Sequence, residues 1–319
     1  MADTSKERFD AIKHEIDDKG AFKRQKNLFT TPFGEGEGKL PIEADRYRLI
    51  VSPVCPWAHR QRIALALLGL NDVISTGITN PIRTERGWVF SDYKDGKDPI
   101  LGVESLDDVY RATDPDFTGR ATVPAIVDIK TGKVVNNDYH KLTNYFEVEW
   151  KRFHKPDAPD LYPEELREEI DAMNEIIFND VNNGVYKAGF ARSQQAYEAA
   201  YDALFARLDE LEERLSHSRY LFGDRLTDAD IRLWVTLVRF DAAYNLAFKV
   251  NRNKLIDFPN LWNYAKDLYT IPAFRDTTDF DGIKRGYLLS ASRNTFGILS
   301  KGPDLSIWDE PHDREREYA

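Results

Sequence analysis

The stretch Tyr47-Arg48-Leu49-Ile50-Val51-Ser52-Pro53-Val54-Cys55-Pro56-Trp57-Ala58-His59-Arg60 decides the fold. Its apolar run Leu49–Val51 predicts a buried strand. Pro56 suits the first position of a helix, because the N–H that proline lacks would have no helical partner there. The apolar residues between Ile63 and Leu68 continue this helix. Cys55 is therefore predicted to lie at the junction between a strand and a helix.

Cys55 is the only cysteine in the 319 residues. A helix N-terminus offers free backbone N–H groups and the positive end of the helix dipole, which stabilise a thiolate and lower the pKa of the thiol. Ala58 occupies the position at which a two-cysteine redox motif would place its second thiol. If Cys55 performs redox chemistry, the second thiol must therefore come from another molecule. The alternative is a buried and inert cysteine.

The overall composition limits the classes of function. The net charge is −10 and the isoelectric point is about 5.2, which favours neither nucleic acid nor an anionic membrane as a partner. A single cysteine excludes an internal disulfide framework and a multi-cysteine metal site. No apolar stretch has membrane-spanning length, and Met1–Glu7 lacks the apolar core of a signal peptide. We expect a cytoplasmic protein without a metal.

The first half of the chain has an alternating pattern of strands and helices. Residues 1–45 are predicted to form an irregular arm, and residues 46–153 a thioredoxin-like domain that binds a thiol. Strands are predicted at 46–53, 73–79 and 122–128, with a hairpin into a fourth strand and a final helix that begins near Asp138. Residues 81–120 are interpreted as a long insertion, and such loops are often functional.

The second half is predicted to be helical. Apolar residues recur at helical spacing over 164–181 and 194–215, and Thr227-Asp228-Ala229-Asp230 resembles a capping box at the start of a further helix. We assign an all-helical substrate domain to 163–276 and an irregular extension to 277–319. The predicted fold class is therefore α/β plus all-α, a thioredoxin-like domain followed by an all-helical domain. This order of domains resembles the fold of the glutathione transferases, whose C-terminal domain is all-helical.

Several short strings extend the likeness across most of the chain, from about residue 28 to Arg314. They are Cys55-Pro56-Trp57-Ala58-His59-Arg60, Gly87-Trp88-Val89-Phe90, Thr122-Val123-Pro124, Asn182-Asn183-Gly184-Val185-Tyr186-Lys187-Ala188-Gly189-Phe190, Arg239-Phe240-Asp241 and Ile283-Lys284-Arg285. In these strings the sequence resembles the glutathionyl-hydroquinone reductases, the Xi class of the glutathione transferase superfamily. The first and fourth strings are the most specific.

The resemblance implies a thiol-exchange reaction. In that family a cysteine thiolate attacks the glutathione sulfur of a glutathionyl-hydroquinone, the ring leaves as hydroquinone, and a second thiol clears the mixed disulfide. It implies that Cys55 is the nucleophile, and that the hydroxyls of Tyr186 and Tyr287 help to protonate the departing ring. Tyr244 is a further candidate for the substrate pocket. The alternative for each tyrosine is a core aromatic with a satisfied hydroxyl.

The resemblance also implies a thiol site. Trp88 and Val123 would hold the tripeptide, Val123 through its backbone next to Pro124, whose peptide bond the fold makes cis. Asp138 and Tyr139 stand where the family has Glu and Ser, which hold the γ-glutamyl amine and carboxylate. Asp138 keeps the charge with a shorter reach, whereas the ring of Tyr139 is expected to crowd the carboxylate. The thiol is therefore hypothesised to be glutathione held differently, γ-glutamylcysteine or another low-molecular-weight thiol.

Two further positions complete the comparison with the family. Gly286 and Leu288 stand where the family tends to have His and Tyr.

His59 and Arg60 carry or can carry positive charge close to Cys55, but their place in the first turns of a helix favours a surface location.

Other functions fit the same residues. One alternative is an omega-like thiol transferase that reduces dehydroascorbate or mixed disulfides with the same cysteine. An alternative of another class is a non-catalytic transferase-fold binding module, which the altered pair Asp138-Tyr139 favours. The resemblance implies a homodimer whose partners are a small-molecule thiol and a quinone conjugate.

Overall fold

The computed structural model describes residues 15–289, 294, 296–312 and 314. The predicted features in residues 1–14, including the charged start of the arm, lie outside the described residues. The chain divides into two compact units. The thioredoxin-like unit comprises residues 25–159 and 281–289, and the helical unit comprises 15–24, 160–280 and the described residues from 294 onward.

A four-stranded sheet in the order β2-β1-β3-β4 forms the centre of the thioredoxin-like unit. Its strands are β1 (Tyr47–Val51), β2 (Ser75–Ile78), β3 (Ala125–Asp128) and β4 (Lys133–Asn136). β1 pairs with β2 in parallel and with β3 in antiparallel orientation, and β3 pairs with β4 in antiparallel orientation. Every residue of β1 and β3 is buried, as expected of apolar strands inside a sheet that is covered on both faces.

The helices of this unit are α1 (Pro56–Leu68), α2 (Leu106–Thr113) and α3 (Leu142–Val148), with a 3₁₀ turn at Lys151–Phe153. The interpretation of 81–120 as a long loop insertion is wrong for part of its length, because α2 lies within it. A reciprocal capping box explains this helix: the Ser105 hydroxyl accepts from the N–H of Asp108, and the Asp108 carboxylate accepts from the N–H of Ser105.

Arg48 of β1 forms a buried ion pair with Asp98. The Arg48 guanidinium donates to Asp98 Oδ2 from Nε at 2.9 Å and from Nη2 at 2.7 Å, and both side chains are almost inaccessible to solvent. Asp98 Oδ1 also accepts from the N–H groups of Ile100 and Leu101. Gly77 leaves room for the pair, since a Cβ there would lie 2.6 Å from Asp98 Oδ2.

The helical unit is built from consecutive helices. These are α4 (Arg167–Ile176), α5 (Gly184–Phe190), α6 (Gln194–Leu215), α7 (Asp228–Arg239), α8 (Asn245–Ala247), α9 (Pro259–Thr270) and α10 (Pro272–Arg275), with 3₁₀ turns at Glu164–Leu166, Leu255–Asp257 and Ser306–Asp309. The predicted bounds of α6 are confirmed. The Asp230 carboxylate accepts from the backbone N–H and the hydroxyl of Thr227, so the predicted cap of α7 is also present.

The interpretation of 277–319 as an irregular extension is wrong for part of its length, because α11 (Phe280–Leu288) lies within it. Beyond α11, two residues fasten the described tail to the helical unit. Trp308 packs against the rings of Trp262 at 4.8 Å and Tyr269 at 5.4 Å. The buried guanidinium of Arg314 donates to the carbonyl oxygens of Leu215, Ser218, Arg219 and Asn260.

Candidate active site

Cys55 lies directly before α1, as the sequence predicts. Its backbone is extended (φ −81°, ψ 117°), Pro56 begins the helix, and the Cys55 carbonyl accepts from the N–H of His59 at 3.0 Å. The turn after β1 is closed by a hydrogen bond from the Cys55 N–H to the Ser52 carbonyl at 3.0 Å. The sulfur therefore stands next to the start of a helix of 13 residues.

The Cys55 sulfur faces the segment before β3. Sγ lies 3.3 Å from the carbonyl oxygen of Val123, a contact in which the thiol donates. The Val123–Pro124 peptide bond is cis, as predicted from the fold. Cys55 is largely buried, with 9% of its surface exposed. The structure thus brings together three of the predicted site residues, Cys55, Val123 and Pro124.

The prediction that His59 and Arg60 lie on the surface is wrong. His59 is 4% exposed and Arg60 is 1% exposed, because α1 is buried on almost all sides. The Arg60 guanidinium carbon lies 5.4 Å from the ring centroid of Trp57 and 6.0 Å from that of Tyr139, and Arg60 donates to the Tyr139 carbonyl. A guanidinium is weakly hydrated and stacks well on aromatic faces, which explains why it can be buried here.

Tyr139 lies in the loop between β4 and α3. Its ring stacks on Trp57 at 5.1 Å between centroids, and its backbone N–H donates to the Asn137 carbonyl at 2.9 Å. The Asp138 carboxylate accepts from the amide of Asn27 at 3.2 Å and from the N–H of His140 at 3.1 Å. Partners within the chain therefore already use Oδ1 of Asp138 and the backbone donors of residues 139 and 140.

Trp88 is partly exposed and follows a tight turn. Gly87 has φ +75°, and a Cβ at this residue would lie 1.8 Å from Asp107 Oδ2, so a side chain there would displace the carboxylate. The Trp88 carbonyl accepts from the N–H of Leu106 at 2.9 Å, and the Arg83 guanidinium carbon lies 5.9 Å from the Trp88 ring centroid. Burial raises the pKa of Asp107, and the charge of Arg83 opposes this shift.

Tyr287 lies on α11 and is 8% exposed. The preceding residue, Gly286, brings the backbone of α11 against the Cys55 turn. A Cβ at Gly286 would lie 2.4 Å from Cγ2 of Val54 and 2.9 Å from the carbonyl oxygen of Pro81. This close approach explains why a glycine rather than a larger residue stands before Tyr287.

The other two predicted tyrosines belong to an aromatic cluster in the helical unit. The ring centroid of Tyr186 lies 5.1 Å from that of Phe248 and 6.0 Å from that of Tyr244, and Tyr244 stacks on Phe248 at 5.2 Å. Tyr186 is 9% exposed, whereas Tyr244 is fully buried. Gly189 leaves room for the ring of Phe248, because a Cβ at Gly189 would lie 2.2 Å from Cδ1 of that ring.

Two π-helical turns border this cluster, one at Ile177–Asn182 before α5 and one at Phe240–Tyr244 after α7. Asn182 anchors the first turn by donating from Nδ2 to the Arg232 carbonyl at 2.8 Å and to the Thr236 hydroxyl at 2.7 Å. π-helical turns are rare in proteins overall, but those that do occur often lie at functional sites. Their position supports the interpretation of the cluster as a functional region.

Sequence reasoning missed Arg24 and Phe22, which lie in the predicted irregular arm. The Arg24 guanidinium carbon lies 4.6 Å from the Tyr186 ring centroid, and the Phe22 ring lies 5.2 Å from that of Phe190. The only sequence signal was an aromatic and a basic residue two positions apart in a segment without helical or strand periodicity. The packing role of Gly189 against Phe248 and the two π turns were also missed, because none of them leaves a distinct pattern in the sequence.

Comparison with known proteins identifies the class. Residues 54–149 match the family model of the glutathione S-transferase N-terminal domain, and residues 194–267 match that of the C-terminal domain. The glutathionyl-hydroquinone reductase YqjG of Escherichia coli (strain K12) is 40% identical over 310 residues, covering 94% of both chains. The glutathione-bound structure of YqjG superimposes with a TM-score of 0.82, covering 93% of this chain and 98% of YqjG.

Two further solved structures agree. A glutathione transferase from Gordonia bronchialis DSM 43247 is 48% identical with a TM-score of 0.89, covering 92% of this chain and 91% of that one. The Xi glutathione S-transferase of Phanerochaete chrysosporium is 40% identical with a TM-score of 0.87, covering 93% and 97%. The protein is a glutathione transferase by fold. More narrowly, the chain belongs to the glutathionyl-hydroquinone reductases, the Xi class, which confirms the predicted family, fold class and glutathione-dependent enzyme class.

Among the described residues, no helix is long and apolar enough to cross a bilayer, and no group of three or more His, Cys, Asp or Glu side chains is placed to hold a metal ion.

Proposed function

We propose that this protein removes glutathione, or a closely related thiol, from glutathionyl-hydroquinones through a mixed disulfide on Cys55. The observation that carries the proposal is the position of Cys55: at the start of α1, facing the Val123 carbonyl next to cis-Pro124, in a chain with no second cysteine. The naming of YqjG as a glutathionyl-hydroquinone reductase supports the same substrate class.

In the first step the Cys55 thiolate attacks the sulfur of the conjugate. A sulfur–sulfur bond forms between Cys55 and the thiol, and the bond between that sulfur and the aromatic carbon breaks. The ring leaves with the bonding electron pair and takes up a proton to become hydroquinone. We assign Tyr186 and Tyr287 as the hydroxyls that assist this protonation, and Tyr244 as a residue that supports the pocket wall.

In the second step a thiolate from solution attacks the mixed disulfide and releases Cys55. The products are a disulfide of two small thiols and the free enzyme, so the ring is reduced by two electrons and two thiols are oxidised. The external thiol is required because no other cysteine exists in the chain. The proposal needs no metal.

The thiol site is proposed to contain Trp88, Val123, Pro124, Asp138 and Tyr139. Glutathione bound in the YqjG structure supports a tripeptide thiol as the co-substrate. Asp138 already accepts a hydrogen bond from Asn27, and the N–H groups of Tyr139 and His140 already donate within the loop. These contacts support the proposal that the γ-glutamyl end of the thiol is held differently here. Glutathione in another orientation, γ-glutamylcysteine and related small thiols therefore remain the proposed ligands.

A second activity is favoured by a specific comparison. The glutathione S-transferase omega-like 2 of Schizosaccharomyces pombe (strain 972 / ATCC 24843) is 38% identical over 293 residues, covering 89% of this chain and 94% of that one. An omega-like thiol transferase would use the same cysteine on dehydroascorbate or on mixed disulfides. The alternative without catalysis, a binding module, would leave Cys55 without any adduct.

The decisive experiment is mass spectrometry of the intact protein after exposure to a glutathionyl-hydroquinone, with release of hydroquinone followed in parallel. Wild type is expected to gain one glutathionyl group and to turn over when free thiol is added, and Cys55→Ser is expected to do neither. Faster turnover of simple mixed disulfides than of the conjugate would replace the proposal by the omega-like activity. Absence of any adduct with every thiol tested would favour the binding module.

The same preparation tests two further proposals. From the family resemblance we propose a homodimer, which light scattering of the purified protein would measure directly. From the dependence on a free cysteine and a reduced thiol we propose action in the cytoplasm. Fractionation of the cells that make the protein would test this location.

A further inference from the structure

The ring of Tyr186 carries a cation on one face. The guanidinium carbon of Arg24 lies 4.6 Å from the ring centroid of Tyr186 and 5.3 Å from that of Phe22. Arg24 Nε donates to Oδ1 of Asn183 at 3.1 Å. All four residues belong to the helical unit, Arg24 and Phe22 through the segment 15–24.

The contact has a clear geometric origin. Asn183 and Tyr186 are three residues apart at the start of α5, so their side chains lie on the same face of the helix. The Arg24 guanidinium can therefore donate a hydrogen bond to Asn183 and still lie over the ring of Tyr186. The π turn at Ile177–Asn182 immediately precedes this pair and sets the start of α5.

Aromatic neighbours hold the remaining sides of the ring. Phe248 and Phe190 lie 5.1 and 5.9 Å from Tyr186 between centroids, and Tyr244 contacts it edge to face. These contacts restrict the tilt of the phenol but carry no charge. A cation attracted to the ring face favours negative charge on the phenol oxygen, and this makes the hydroxyl a better hydrogen-bond donor.

We propose that Arg24 is a positioning residue for Tyr186. It holds the phenol at a fixed angle, through Asn183 and the ring face, and strengthens its hydroxyl as the donor to the departing hydroquinone ring. This inference rests on the proposed function, because it takes Tyr186 as a proton donor. It gives the arm segment 15–24 a part in the reaction that the sequence alone did not indicate.

The test compares two arginine-to-methionine variants. Arg24→Met removes the charge and the hydrogen bond, and kcat for a glutathionyl-hydroquinone is expected to fall by about 3- to 30-fold with little change in KM, the range that one cation–π contact represents. Arg252→Met is the matched control, because that guanidinium carbon also lies 4.6 Å from a ring, that of Phe205, and is paired with Asp209. It should leave kcat unchanged.

Two further variants separate positioning from general stability. Arg24→Lys keeps a cation and is expected to recover part of the lost kcat. In a Tyr186→Phe background, Arg24→Met should cause no additional loss, since the group on which Arg24 acts is absent. An equal loss in both backgrounds, or a lysine variant no better than methionine, would overturn the proposal.

A spectroscopic measurement keeps the result independent of turnover. The protein is labelled with 3-fluorotyrosine, and the ¹⁹F line of Tyr186 is assigned by its absence in Tyr186→Phe. Arg24→Met should shift or broaden that line, and Arg252→Met should not. If the line responds but wild type does not turn over the conjugate, only the proposed function fails. If the line does not respond, the positioning role of Arg24 fails.

Discussion

Replacing Gly286 by alanine tests whether α11 is confined against the Cys55 turn. The added Cβ would lie 2.4 and 2.5 Å from Cγ2 and Cβ of Val54 and 2.9 Å from the carbonyl oxygen of Pro81. The first two atoms belong to a short side chain and the third to the backbone, so none can move aside without a shift of α11 or of the turn. We therefore expect loss of stability and of turnover, since Tyr287 is the next residue.

The size of the effect follows from two opposing contributions. Forcing one methyl group into an occupied space typically costs about 1–3 kcal/mol. Replacing glycine by alanine inside a helix raises the free energy of unfolding by about 1 kcal/mol, because the unfolded chain loses backbone freedom. Gly184 at the start of α5 supplies the matched control, since a Cβ there would meet only ordinary contacts, the nearest at 3.7 Å from Leu204.

Urea unfolding of the two alanine variants gives the contact cost directly, because the helix contribution is common to both. Gly184→Ala should be more stable than wild type by up to about 1 kcal/mol. Gly286→Ala should be less stable than Gly184→Ala by about 1–3 kcal/mol, with reduced turnover of the conjugate. Equal stability of both variants would show that Val54 and Pro81 do not confine the helix.

Three other predictions follow from buried groups. Asp98→Asn should lower the free energy of unfolding in urea by about 3–5 kcal/mol, because it leaves the charge of Arg48 buried without compensation; a loss below about 1 kcal/mol would contradict a buried pair. Burial raises the pKa of Tyr47 from 10.0 to about 12, so the unfolded chain ionises first and stability should fall as the pH rises from 10 to 12. Tyr47→Phe should make this loss smaller in urea titrations at both ends of that range, and the part that remains comes from other tyrosines whose pKa burial also raises, such as Tyr110 and Tyr264. Arg314→Ala should lower the free energy of unfolding by at least about 1–3 kcal/mol, because it removes the guanidinium from the buried hydrogen bond with the Leu215 carbonyl, and it should expose the tail to limited proteolysis. Arg225→Ala, which breaks the exposed pair with Glu165, is its control and should cost less than about 1 kcal/mol.

Local patterns predicted much of the fold. Proline after the lone cysteine, an apolar run before it and helical periodicity later in the chain were enough for β1, α1 and α6. The capping residues of α7 were equally readable, since Thr227 and Asp230 lie within one turn of each other. The short helix α2 was missed because its capping box, Ser105 with Asp108, lies in a stretch dominated by Asp, Gly and Pro.

The geometry of the site was less predictable, because it depends on contacts between residues distant in sequence. The burial of Arg60 requires the ring of Tyr139, which lies 79 residues further along the chain. The contact of Arg24 with Asn183 spans 159 residues. No local periodicity records such pairs, and the roles assigned to Cys55, Trp88, Tyr186, Tyr244 and Tyr287 stay predictions.

The attachment of the tail has a consequence for the order of folding during synthesis. Trp308 and Arg314 complete the core around α6 and α9, yet both follow α4 to α10 in the chain. While these residues are still in the ribosomal exit tunnel, the carbonyls of Leu215 and Ser218 lack the guanidinium, and the surface of Trp262 lacks its cover. Nascent chains should therefore present an incomplete helical unit to chaperones until Arg314 has emerged.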